Sequence, residues 1–165
     1  MKNSLKFIAV ALLAIFFTGC SVKEPEPYDY TAFLQKKPHS ILVLMPTNDS
    51  TDVAGSAAVL ANAVAPLSEA GYFVFPVALV NDTFKQNGIT EPNEIAAVPL
   101  NKLDKIFQAD SVLYINIKEY GTSYAVISSS TRVVLEAKLV DIKSGATLWN
   151  GTATAIEDSS SGQSS

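Results

Sequence analysis

The sequence predicts a mixed α/β (α+β) domain: a mixed β-sheet of about five strands with helices packed on it. Three observations carry this. The hydrophobic patterns run β-α-β-α-α-β and then continue as an antiparallel β-meander. Crossovers of that kind put helices on one or both faces of a mixed sheet. The patterned stretch is also long enough for a single core and no more.

Residues 1–19 are set aside from the fold. Lys2 and Lys6 precede an unbroken apolar run over residues 7–17. Eleven apolar residues fall short of the roughly 20 that a helix needs to cross a bilayer core. A secretory signal peptide is predicted. The tetrapeptide Phe17-Thr18-Gly19-Cys20 resembles the lipobox of bacterial lipoproteins, although that pattern prefers Leu where Phe17 stands and Ala or Ser where Thr18 stands. The resemblance implies that Cys20 is lipidated and becomes the first mature residue, so that the membrane is held through the lipid. The alternatives are an ordinary cysteine beside a general cleavage site, or an uncleaved signal anchor. More than one acyl chain, at about 0.8 kcal/mol per buried methylene, makes a stable anchor. Ser21 follows where Asp would signal retention; by the sorting rule of enteric-type lipoproteins this implies the periplasmic face of the outer membrane. Removal of residues 1–19, with Lys2 and Lys6 among them, leaves 146 of 165 residues and a formal charge of −6 in place of −4. Such a domain is not drawn to anionic head groups, so the lipid does the anchoring.

Residues 20–38 hold Pro25, Pro27 and several charges, and read as a lipidated tether. Tyr28, Tyr30 and Phe33 are its groups able to dock, on a partner or on the domain itself. The α/β domain is placed at residues 39–157. Residues 41–45 are continuously apolar and closed by Pro46, as in a central strand buried on both faces. The loop 47–52 is dense in N-capping residue types and opens an Ala-rich helix over about 53–70, kinked by Pro66 and capped by Gly71. Residues 72–77 read as a second buried strand and 78–86 as a short helix. In 99–108, Leu100, Leu103, Ile106 and Phe107 recur at helical spacing. Residues 112–120 alternate, with Leu113, Ile115 and Ile117 inward and Tyr114, Asn116 and Lys118 on an exposed face.

Residues 123–127 and 131–142 read as strands, the latter with Val133, Leu135, Ala137 and Leu139 inward. A turn at Lys143, Ser144 and Gly145 leads to the last strand, 147–156, whose Trp149-Gly151-Ala153-Ala155 side is unusually small. Residues 158–165 are Asp158 followed by Ser, Gly and Gln alone, a disordered tail.

Composition excludes much chemistry. A single Cys and a single His cannot build a disulfide framework, a multi-thiolate site or a His-pair metal site. A net charge of −4 without a basic run excludes a nucleic-acid-binding face. Residues 47–52 sit where a helix N-terminus could take an anion. They lack both glycine-rich phosphate patterns, and Asp49 and Asp52 would repel phosphate. Two carboxylates also fall short of a calcium loop's ligand count, so no metal and no cofactor is predicted. His39, beside Lys36 and Lys37, reads as a surface residue. No G-x-S-x-G elbow occurs, the serine clusters have no paired base, and Glu119, Glu136 and Glu157 read as a solvated sheet face. No catalytic residue, and no enzyme, is predicted. The candidate contacts for a ligand or partner are Asn48, Asp49 and Asp52 at the strand ends and Trp149 as an interface anchor; a core role is the plainer reading of Trp149. The Ala-rich helix permits close packing within the domain or at a subunit interface, so a homo-oligomer is compatible with it.

Residues 38–46 (PHSILVLMP), residues 66–77 (PLSEAGYFVFPV), the Leu-Trp-Asn-Gly strand and the lipobox together resemble a family of bacterial lipoproteins, the domain of unknown function 799 family. The resemblance covers nearly the whole chain. It implies an outer-membrane lipoprotein whose periplasmic domain is similar to the N-terminal domain of the translocation protein TolB, without known catalytic residues. It also implies a gene neighbour like the curli secretion channel lipoprotein, hence a protein partner of that kind. Family members continue past residues 159–165 into a further apolar helix, so a truncation point is expected there. The function expected is a non-enzymatic, lipid-anchored subunit or adaptor of an envelope assembly, with a small-ligand or glycan binding lipoprotein as the alternative.

Overall fold

The computed structural model describes residues 28–52, 55–125 and 128–160. Its elements are α1 (Thr31–Lys36), β1 (Ser40–Val43), β2 (Thr47–Asn48), α2 (Gly55–Glu69), β3 (Phe73–Val74), α3 (Val77–Gln86), α4 (Pro92–Ala96), α5 (Leu100–Phe107), β4 (Ser111–Ala125), β5 (Ser128–Asp141) and β6 (Thr147–Ser160). They form the predicted mixed α/β fold, with six strands rather than about five.

The sheet order is β3-β1-β4-β5-β6. β1 lies parallel to both β3 and β4, and β4, β5 and β6 form the antiparallel meander. β2 continues along the same edge of β4 beyond β1, also parallel to it. The apolar run of residues 41–44 supplies both faces of the sheet. Leu42 and Leu44 face α3, α4 and α5 through Val80, Phe84, Ile95, Leu103 and Phe107. Ile41 and Val43 face α2 through Val59 and Leu60. Two hydrophobic cores therefore share one sheet.

Several boundaries depart from the sequence pattern. The loop 47–52 begins as strand, because Thr47 and Asn48 pair with Asn116 and Ile117. Residues 53 and 54 lie outside the described residues, and α2 runs on through Pro66 to Glu69. The buried strand expected at 72–77 is only two residues long and sits at the sheet's edge, where Phe73 is exposed. Ile106, assigned to the apolar face of α5, is also exposed; Leu103 and Phe107 carry that face into the core, with Leu100 half-buried against it. Residues 123–125 continue β4 instead of starting a new strand, and β6 extends to Ser160, into the part read as a tail. Of the two docking sites left open for Tyr28, Tyr30 and Phe33, residues 28–36 take the domain itself: α1 forms there and packs on β6.

Two bulges set which side chains face α2. Register slips between Ile117 and Glu119 leave Lys118 as the extra residue of β4, so Tyr120 takes the face that Ile117 had. A second slip makes Leu148 the extra residue of β6, and both Leu148 and Trp149 join the α2 side.

Two carboxylates pin the end of the sheet where β1 and β4 begin. Asp110 accepts the backbone N–H groups of His39 and Ser40, each at 2.9 Å. Burial pushes its pKa up, but these N–H groups and the Ser40 side chain outweigh burial and hold it below the ordinary 3.8. Asp141 is buried; desolvation raises its pKa, and the Ser144 hydroxyl and N–H and Lys36, at 3.4 Å, together bring it below the ordinary value. A depressed carboxylate stabilises the fold fully above its unfolded pKa and loses that contribution as pH falls through the folded value. Urea midpoints are thus expected to fall as pH drops below 3.8. The Asp110→Asn, Asp141→Asn chain should start lower and fall less steeply; equal slopes would contradict this role.

Candidate functional site

The meander outruns its helical cover. β5 and β6 continue past α2, and the side chains on their α2 face are small or half-buried. Between α2 and these strands lies an apolar trough. Away from α1 its volume is about 540 Å³, walled by Ala58 and Asn62 of α2, Tyr120, Val133 and Leu135, and floored by Gly151, Ala153 and Ala155. Toward α1 an overlapping part of about 620 Å³ is walled by Tyr30, Phe33, Pro66 and Leu67. Ala63, Ile115, Ala137, Trp149 and Ala153 border both. The trough can exclude water from an apolar group, and its walls offer few hydrogen-bonding groups.

Trp149 lies along the trough floor. A Cβ on Gly151 would come within 2.5 Å of its Cζ2 and 2.9 Å of its Cη2, so the indole covers the glycine. Beside the trough runs the outer edge of β6, the last strand of the sheet. Tyr28 closes one point of that edge: its hydroxyl accepts the Asn150 N–H at 2.9 Å and lies 3.3 Å from Asn150 Oδ1.

The sequence-predicted contacts divide into two places. Asn48 and Asp52 are brought together, because Asn48 Nδ2 donates to the Asp52 carbonyl at 2.6 Å while Asn48 Oδ1 accepts the Ser50 N–H at 2.8 Å. Asp49 accepts from Lys118 Nζ at 3.0 Å and Asn116 Nδ2 at 3.1 Å, and the first of these chiefly holds its carboxyl below the usual range. The same pair raises Lys118, which also reaches Glu136 at 3.5 Å. This corner is a hydrogen-bonded network that leaves one buried atom without a partner among the described residues, Asn116 Oδ1. None of its three candidates borders the trough that holds Trp149. Cys20 lies outside the described residues. His39 is exposed, as expected. Among the described residues no group of three or more His, Cys, Asp or Glu side chains is placed to hold a metal, and no helix is long and apolar enough to cross a membrane.

Sequence reasoning singled out Trp149 and the small face of β6 but missed Tyr120 as a wall. Its alternation was read as unbroken, and the bulge at Lys118 has no signature in the sequence.

A family model described as "Putative lipoprotein GNA1162-like" matches residues 28–165. A protein of Neisseria meningitidis serogroup B, named "Putative lipoprotein NMB1124/NMB1162", is 48% identical over 161 residues, which are 97% of this chain and 75% of that one. The crystal structure of lipoprotein GNA1162 from Neisseria meningitidis superposes with a TM-score of 0.71 at 53% identity, over 74% of this chain and 85% of that one. A PelC dodecamer from Paraburkholderia phytofirmans matches at 15% identity and a TM-score of 0.52, over 73% of this chain and 74% of its own; that likeness is one of fold.

Proposed function

The chain belongs to the GNA1162-like lipoprotein family, and from that premise we propose that it is anchored through lipid on Cys20 at the periplasmic face of the outer membrane. There it serves as a non-enzymatic subunit of an envelope assembly related to secretion. One observation carries the subunit reading: an apolar trough lies beside a strand edge that no other described strand pairs with, the kind of surface that marks a protein contact. Family membership and the lipobox-like Phe17-Thr18-Gly19-Cys20 support the anchor.

The test is crosslinking of the full-length lipoprotein in its native envelope, with covalent partners identified by mass spectrometry. A recurrent partner is expected, a lipoprotein like the curli secretion channel subunit among the candidates, and it should be lost with Cys20→Ala. Self-crosslinks alone would remove the heteromeric reading. The same variant should move from the membrane pellet to the soluble fraction almost completely, since no helix among the described residues is long and apolar enough to cross a membrane; retention in the pellet would refute the lipid anchor.

A small-ligand reading has its own observation. A recess of about 260 Å³ is bordered by Thr47, Tyr114, Glu136 and Lys138, with the Lys138 ammonium 5.7 Å from the Tyr114 ring centre. Thermal shifts against metabolites and glycans, lost on Lys138→Ala, would favour it.

A further inference from the structure

α1 is too short to hold itself in water, and three contacts fix it on the domain. Phe33 packs into the α2-side core, the Tyr28 hydroxyl meets the Asn150 N–H before the helix begins, and Lys36 reaches Asp141 at 3.4 Å where it ends. What remains outward is a stripe. Tyr30 and Leu34 stand four residues apart and are exposed, Lys37 follows three residues later, and the Tyr28 ring lies 4.9 Å from that of Tyr30. Aromatic rings with a polar tip, an aliphatic residue and a lysine head are the side chains that settle at a membrane–water boundary.

Charge and chain length point the same way. Lys37 and Lys143 border a recess of about 250 Å³ at the end of α1, with Lys36 and His39, and neither is ion-paired among the described residues. The carboxylates nearby are committed elsewhere: Asp29 accepts the Thr31 N–H at 2.9 Å, Asp110 the N–H groups of His39 and Ser40, and Asp141 holds Lys36 and Ser144. A chain with a net charge of −4 thus presents unpaired cations at the end of an exposed apolar stripe. Seven residues separate Cys20 from Tyr28, a reach of about 28 Å at full extension. Leu79 and Ile106, also exposed, stand on α3 and α5 across the sheet.

We propose that the outward stripe of α1 docks on the bilayer surface that holds Cys20, with Tyr28, Tyr30 and Leu34 at the apolar border of the head groups and Lys37 and Lys143 against lipid phosphates. This deepens the anchor reading and rests on it for the lipid at Cys20. The contact is too small to draw the acidic domain out of solution, but a short tether supplies an effective concentration of about millimolar, at which a weak contact is occupied. Docking sets which end of the trough faces the membrane, because Tyr30 and Phe33 wall its α1 end.

The test uses residues 20–165, which keep every described residue, with the Cys20 thiol coupled to a maleimide-bearing lipid in vesicles of phosphatidylethanolamine, phosphatidylglycerol and a brominated phosphatidylcholine. Cys20 is the sole thiol, and coupling supplies the tether whether or not the cell lipidates it. Membrane release of Cys20→Ala therefore tests the anchor, and this experiment tests the contact alone. Leu34→Trp, in a chain that keeps Trp149, should lose emission to the bromine and shift to the blue, read as the excess over the parent chain. Ile106→Trp should show no excess, and both exposed substitutions should leave the urea midpoint unchanged. Lys37→Gln in the Leu34→Trp chain should lower the ratio of docked to undocked protein about five-fold, the worth of one lysine at an anionic surface, and omission of phosphatidylglycerol should lower it further. No excess quenching at Leu34→Trp, an equal excess at Ile106→Trp, or a ratio indifferent to Lys37→Gln and to phosphatidylglycerol would overturn the proposal.

Discussion

Leu42→Ala is expected to cost about 3 kcal/mol and to lower the thermal midpoint by about 10 °C, measured by urea and heat unfolding with Trp149 emission as the probe. Leu42 has no exposed surface and stands in the middle of β1, between the two cores. It packs into the cluster of Val112, Leu103 and Phe107. Removing its branched end leaves a cavity that neither neighbouring strand can close, since β1 is paired on both sides. Leu34→Ala on α1 is the control: Leu34 is 59% exposed, and its truncation should change stability by less than about 0.5 kcal/mol. A loss below about 1 kcal/mol for Leu42→Ala would mean that the α3–α5 core is far looser than its burial implies.

The second large effect is local and optical. Gly151→Ala places a methyl group where the Trp149 ring now lies, so the indole must leave the trough floor. We expect a cost of about 1–3 kcal/mol, typical of overpacking, together with a red shift in emission as the ring meets water. The chain has one tryptophan, which makes the signal unambiguous. In a Trp149→Ala background the same glycine substitution should cost almost nothing in stability. The mismatch between the two backgrounds is the interaction energy of ring and glycine. Equal costs would show that the strand, and not the indole, resists a side chain at this position.

The central strand was legible because residues 41–45 are apolar without interruption, a pattern that a strand covered on both faces produces. α3 and α5 were legible from helical spacing, and the meander from its alternation and the Gly145 turn. What escaped was set by contacts distant in sequence. Thr47 and Asn48 are loop formers by composition and become strand only because β4 offers its edge. The run from Tyr72 to Val77 is apolar enough for the sheet's interior, yet pairing with β1 is confined to Ser40 and Ile41, so it stays short and peripheral. Ile106 fits the helical spacing of α5 but falls on the side turned away from the sheet. Of the candidate site, Trp149 and the small β6 face were readable from Gly151, Ala153 and Ala155. Their pairing with α2, and the role of Tyr120, depended on a bulge that no local pattern encodes. Asn48, Asp49 and Asp52 attracted attention as polar residues at a strand end, and the structure spends their hydrogen bonds on one another, Lys118 and Asn116.

The parallel pairing of β1 with β4 has a kinetic consequence. Ile41 meets Ser111 and Val43 meets Leu113, so the sheet's centre joins segments about 70 residues apart in the chain. The meander needs only neighbouring strands, and its loops close cheaply. A polypeptide emerging N-terminus first therefore carries its most apolar strand with no mate but the two-residue β3 until β4 has followed it. Consolidation waits for the second half of the molecule, and during that interval residues 41–45 are the segment that a holdase would find.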